Sequence, residues 1–256
     1  MKNILNKIEF HYTYTIMALG LVLTGHFANL VVFTSLILIH EFGHVIVALI
    51  YKYKIKKIII YPYGGITRFD TLINTKIEKD LFIAISGVIV QSIYFYIIFF
   101  LYSKGIIREY IYNLFFIYHQ SMLFFNLLPI IPLDGSKIVN LIFSKYLSLN
   151  LSNNLTVLVS FAALIVLLIS NIYENNYSMV MVIFVLLQNI WDYYKKIEYI
   201  YNKFILERYL YNINYKSLKM INDKNKMYKN KIHLFKINNK IIQEKQFLSD
   251  FFNKKL

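Results

Sequence analysis

His40-Glu41-Phe42-Gly43-His44 sets two imidazoles four residues apart, with a carboxylate directly after the first. On a helix that spacing puts both histidines on one face about one turn apart, where they can bind a single Zn²⁺ with Glu41 beside it as a general base. The chemistry is peptide-bond hydrolysis, in which the ion lowers the pKa of its water toward 7 and the glutamate takes the proton. Coincidental spacing is a costly alternative. The motif lies in an apolar run, where two His and a Glu must be paired, coordinated or wetted.

Two histidines need a third protein ligand and an open position for water and substrate. Asp134 is the candidate, a second carboxylate in an apolar setting, within Asn126-Leu-Leu-Pro-Ile-Ile-Pro-Leu-Asp-Gly135. Pro129 and Pro132 break regular helix there, and Gly135 permits an unusual turn. Broken backbone at membrane depth is tolerated only when buried in protein or lining a wet cavity. In the competing reading Asp134 merely caps the following helix. Asn126 either orients substrate and stabilises a developing oxyanion or satisfies backbone freed at the proline break. His26 is a gate, a group supporting the metal ligands or an interface histidine, and Gln91, His119 and Gln120 read as helix-to-helix hydrogen-bonding groups.

The elements that must position these residues are membrane spans. Hydrophobic residues make up 57% of the 256 positions and charged ones 16%, too apolar a balance for an ordinary soluble domain. Tyr12 to Tyr51 contains no Lys or Arg, a length of about two bilayer crossings at roughly 20 residues each. Candidate spans run from about Tyr12 to Gly25, Phe27 to Ile50, Leu81 to Tyr102, Ile111 to Ile131, Leu155 to Asn171 and Ser178 to Tyr194. No removable signal peptide is expected, because the apolar stretch runs far beyond the length of such a segment.

With both termini cytoplasmic, only Lys104 and Arg108 of the 28 basic residues fall outside, as the positive-inside rule requires. The net charge of +14 is therefore assigned to topology and anionic lipid, and nucleic acid is not expected as a partner. The absence of cysteine excludes disulfides, thiolate metal sites and a cysteine nucleophile. Between the second and third spans, β-branched runs flank Pro62 and Gly64-Gly65 and predict a β-hairpin over Lys54 to Phe69. From Asn202 onward an Asn- and Lys-rich stretch with spaced apolar residues predicts a small, partly ordered tail.

The paired motifs resemble the site-2 protease family of intramembrane zinc metalloproteases, peptidase family M50. The first motif matches at His40, Glu41 and His44, the second at Asn126, Pro129, Pro132, Leu133, Asp134 and Gly135. Thr24-Gly-His-Phe27 and Tyr61-Pro-Tyr-Gly-Gly-Ile66 are similar to the sporulation branch in particular. The likeness runs from about His11 to Lys145. It implies a membrane core with one zinc inside it near the cytoplasmic side, held by His40, His44 and Asp134, and cleavage of a membrane-associated precursor. In that branch the precursor is a sigma factor, and partner membrane proteins hold the enzyme in check.

Two departures stand out. Val88 follows Gly87 where many relatives have Gly-Pro, and the tail is shorter than the nucleotide-sensing domain of some sporulation members, so ATP regulation is not expected. The expected fold is an all-α polytopic membrane protein of about six spans with a small membrane-associated β-hairpin, residues 1–195 forming the protease core and 196–256 a basic cytoplasmic tail. The plasma membrane or an internal forespore-type membrane is the expected location. A non-proteolytic relative acting as a binding or chaperone module should have lost a ligand or the base, and all four residues are present. A transporter would use intramembrane His and Asp as an ion path but leaves Glu41 unexplained.

Overall fold

The computed structural model describes residues 6–253 apart from 63, 175, 176, 212, 214, 216, 238 and 239. It is mostly helical, with two small sheets. Residues 1–71 with 82–127 form one compact unit, and residues 72–81 with 128–256 form a second.

The first unit starts with β1 (Ile8–Phe10) and helices α1 (Tyr12–Leu23) and α2 (Phe27–Ile50). Gly25, at φ +77°, turns the chain between these helices, and the His26 N–H closes the turn on Leu21 O at 2.8 Å. Glycine is favoured there because the left-handed backbone penalises a Cβ. The expected hairpin forms as β2 (Lys54–Tyr61) and β3 (Gly64–Asp70), antiparallel, with Ile58 opposite Thr67. β1 adds to β2 in parallel, Ile8 opposite Ile58, a third strand the sequence reading did not anticipate. Its three residues are too few to show an alternation pattern. The sheet order β1-β2-β3 leaves β3 at an edge.

Helix α3 (Ile77–Ser103) runs unbroken through Ser86-Gly87-Val88. Its residues from Phe82 onward belong to the first unit, as does α4 (Glu109–Leu127). The core of this unit contains Leu36 and Ile37 of α2, Ile58 and Ile60 of β2, and Phe115 and Met122 of α4. Helix α4 ends before Pro129, four residues short of the expected boundary at Ile131, because proline cannot continue the ladder and restricts the residue before it.

In the second unit α5 (Asp134–Tyr146), α6 (Leu149–Glu174) and α7 (Tyr177–Leu210) follow one another. The broken backbone at Pro129 to Pro132 is satisfied by Ser160 of α6, whose hydroxyl donates to Pro129 O at 3.0 Å and accepts from Ile131 N at 3.3 Å. Among the described residues, α2, α3 and Leu149–Ser170 of α6 are long and apolar enough to cross a bilayer, while α1 is apolar but only 12 residues long.

The tail is more ordered than expected. Helix α7 continues well past the apolar stretch that ends near Tyr194. β4 (Leu218–Ile221) pairs in parallel with β5 (Ile232–Ile237), which pairs antiparallel with β6 (Lys240–Gln243), and α8 (Glu244–Asn253) follows. Tyr201, Phe204 and Ile205 of α7 close a core with Met227, Phe235 and Leu248. Spaced apolar residues in an Asn- and Lys-rich stretch suffice because the helix supplies one wall of that core.

Buried ionic groups tie this tail to residues 73–80. Glu207 accepts the backbone N–H groups of Ile73 and Asn74 at 2.7 and 3.1 Å. Arg208 donates to Asn74 Oδ1, to Glu244 Oε1 and to the Lys231 and Tyr228 carbonyls, each at 2.8 Å. Lys229 and Asp80 form an ion pair at 2.6 Å. In the same pocket His233 donates from Nδ1 to Glu244 Oε2 and accepts the Tyr228 N–H at Nε2, each at 2.9 Å.

Candidate metal centre

His40, Glu41 and His44 are all buried on one face of α2. Among the described residues they are the one group of three metal-ligating side chains whose donor atoms all lie within 4.8 Å of one another. Close approach of α3 shapes the face. A Cβ at Gly43 would fall 2.6 Å from Ser86 O, and one at Gly87 would fall 2.5 Å from His44 Nε2 and 2.8 Å from His40 Nε2. Glycine at both positions lets the two backbones meet, which brings the Ile83 carbonyl within 2.7 Å of His44 Nδ1. The close packing at Gly87 is thus packing against the imidazoles themselves.

The hydrogen bonds fix which ring nitrogens face inward. His44 Nδ1–H donates to Ile83 O, and His40 Nδ1 meets Gln91 Oε1 at 2.9 Å. With both Nδ1 atoms protonated, the lone pairs lie on the two Nε2 atoms, which stand 3.1 Å apart. Two nitrogens bound tetrahedrally to zinc at about 2.0–2.1 Å stand roughly 3.3 Å apart. The donor set therefore fits the ion.

Glu41 is held differently from the histidines. Thr67 of β3 donates its hydroxyl to Glu41 Oε2 at 2.5 Å. Gly65 of the same strand leaves room for the carboxylate, since a Cβ there would fall 2.3 Å from Glu41 Cγ and 2.7 Å from Oε1. The edge strand thus passes over the base. Gly64-Gly65 reads in the sequence as turn chemistry, and nothing there signals that Gly65 and Thr67 serve Glu41.

Asp134 is buried as the first residue of α5 in the second unit, where Lys137 donates to its Oδ1 at 2.8 Å. The N-cap of that helix is Leu133, so Asp134 is not the cap of the competing reading. Asn126 is half-buried near the end of α4 in the first unit. The backbone at the proline break is served by Ser160. His26 is exposed at the start of α2, with Nδ1 3.1 Å from Thr24 Oγ1. Gln91 and His119 do bond between helices, yet they do so against a ligand of the candidate ion.

Residues 28–107 match the model of peptidase family M50. The chain is 32% identical over 206 residues to stage IV sporulation protein FB of Bacillus subtilis, covering 79% of this chain and 71% of that protein. It is 31% identical over 151 residues to a zinc metalloprotease of Methanocaldococcus jannaschii, covering 54% of this chain and 43% of that one. The solved site-2 protease from M. jannaschii shares the fold, with a TM-score of 0.57 over 72% of this chain and 89% of that one, at 24% identity. The chain belongs to peptidase family M50, the site-2 type of intramembrane metalloprotease.

Proposed function

We propose that this chain is a zinc-dependent endopeptidase that cleaves a membrane-tethered protein precursor, with one ion per chain held by His40, His44 and Asp134 and with Glu41 as the base. The observation that carries the reading is the pair of inward-facing Nε2 atoms beside a carboxylate that is fixed but not consumed by its own hydrogen bond. Zinc, when bound, supplies a Lewis acid that lowers the pKa of a coordinated water and polarises the scissile carbonyl.

The chain's own residues do the rest. Thr67 occupies Oε2 of Glu41, which leaves Oε1 to take the water's proton and pass it to the departing amine. Asn126 is assigned to orienting the peptide carbonyl through its amide. β3 offers a free edge to an extended substrate segment, the strand-addition mode, which suits a protease because a helical peptide bond is hidden from attack.

Six spans with both termini in the cytoplasm, in the plasma membrane or an internal forespore-type membrane, complete the reading. It is supported by the distribution of basic residues and by the three long apolar helices. The resemblance to the sporulation branch favours a sigma-factor precursor as substrate and inhibitory membrane proteins as partners. The test is co-expression with candidate membrane-tethered precursors. Intact enzyme should yield a shortened product and Glu41→Gln should not, with zinc bound in both. Substrate flux in vesicles without any cleaved product would favour a transporter instead.

A further inference from the structure

We infer that Gln91, anchored by His119, is a positioning residue that holds His40 in its metal-binding tautomer and thereby sets the affinity of the site for zinc. The inference rests on the metal-site reading above and adds two residues to it. A chain of hydrogen bonds crosses three helices, from His40 on α2 to Gln91 on α3 to His119 on α4. Gln91 has no exposed surface and His119 is 4% exposed, so water does not compete for these bonds. Phe95 lies flat against the His119 ring, with centroids 4.3 Å apart and planes 1° from parallel.

The logic of the chain starts at a group that has only one role. The backbone carbonyl of His119 can only accept, and Gln91 Nε2 stands 3.3 Å from it. The amide nitrogen must therefore face α4, where it also meets His119 Nδ1 at 3.1 Å. Gln91 Oε1 is left facing His40 Nδ1 at 2.9 Å, and an amide oxygen can only accept. His40 Nδ1 must then carry the proton, which leaves the lone pair on Nε2.

For His44 one backbone carbonyl, that of Ile83, does this directly. For His40 the same instruction is relayed through a glutamine from a carbonyl one helix further away. Partners of this kind orient ligating imidazoles and raise their basicity, and losing one typically costs about 10- to 100-fold in metal affinity.

The test measures zinc affinity of the purified full chain by competition with a chromogenic chelator, in parallel with cleavage across a range of free zinc. Gln91→Met keeps nearly the same volume but removes the amide oxygen. It should weaken zinc binding about 10- to 100-fold and shift the zinc concentration for half-maximal cleavage by the same factor, while kcat at saturating zinc stays within a few-fold. Gln91→Glu keeps an acceptor toward His40 but loses the donor toward His119, so it should recover most, though not all, of the affinity that Gln91→Met loses. A purely packing role would lower the yield of folded protein without moving the zinc midpoint.

His119→Leu, which removes the Nδ1 acceptor but leaves the backbone carbonyl, should give a smaller shift in the same direction and serves if Gln91→Met does not fold. Unchanged affinity in whichever variant folds, or a Gln91→Glu protein as weak as Gln91→Met, overturns the proposal. His40→Ala is the control. If it keeps its zinc, the metal-site reading itself has failed, which is a separate result.

Discussion

Gly65→Ala separates the placement of the base from the integrity of the metal site. An added Cβ would lie 2.3 Å from Glu41 Cγ and 2.6 Å from Cδ, against 3.4–4 Å for ordinary contact. The atom in the way is a side chain and not backbone, and Gly65 is not in the left-handed region, so the fold can absorb the methyl by letting Glu41 swing aside. The carboxylate then withdraws by about 1 Å or more, and a misplacement of that size costs a reaction roughly 10²-fold, or about 2.7 kcal/mol of barrier. Loss of the Thr67 hydrogen bond adds to that cost.

The assay pairs initial cleavage rates on a membrane-tethered substrate with bound zinc and thermal unfolding. Activity should fall about 100-fold or more, with zinc content and midpoint near those of the wild type. Wild-type cleavage would refute the argument that Glu41 works beneath β3. Loss of zinc would show that Gly65 acts through the ligands.

Gly87→Ala should instead release zinc, because its Cβ would strike the Nε2 atoms of His40 and His44 that are proposed to hold it, and metal analysis after dialysis reads this directly. Asp134→Asn should weaken zinc binding and activity together, whereas Glu41→Gln should abolish cleavage with the metal retained, as parallel zinc and product measurements will show. Thr67→Val removes one hydrogen bond to a charged group, worth about 1.5–3 kcal/mol, and should lower kcat more than it changes KM. Arg208→Ala leaves Glu244 buried without its cation and should destabilise the second unit by about 3–5 kcal/mol in a denaturant titration.

The tail should also be acid-sensitive. Burial holds the His233 pKa below its ordinary 6.5. Burial pushes Glu244 up, but hydrogen bonds from His233 and Arg208 and the Arg208 charge outweigh it, leaving its pKa below 4.5. Both groups bind protons more readily when unfolded, so stability should fall as pH drops from 6.5 and again below 4.5, visible as faster amide exchange in β5.

What was legible in the sequence followed from local rules. The spacing of His40 and His44 already fixes a shared helical face, and α2 spans the expected Phe27 to Ile50. The hairpin was announced by its β-branched runs and glycines. The partners of residues that act across the chain were not legible, although Gln91 and His119 do bond between helices as expected. Gln91 reaches His40 over 51 positions and Thr67 reaches Glu41 over 26, and neither carries a local signature beyond being polar in apolar surroundings. The ordered tail escaped for a related reason. Its core takes one wall from α7, so neither the helix nor the strands look self-sufficient when read alone.

The clamp by Glu207 has a consequence in the order of synthesis. The N–H groups of Ile73 and Asn74 find their acceptor 134 and 133 residues downstream. At about 5–20 residues per second, a ribosome needs roughly 7–27 s to reach Glu207 after finishing that loop. Throughout that interval the N–H groups of Ile73 and Asn74 must be satisfied by water, and they gain their lasting partner only once Glu207 has been made. A nascent or truncated chain that stops short of Glu207 therefore carries the complete His40-Glu41-His44 motif while the loop after the hairpin is still unclamped.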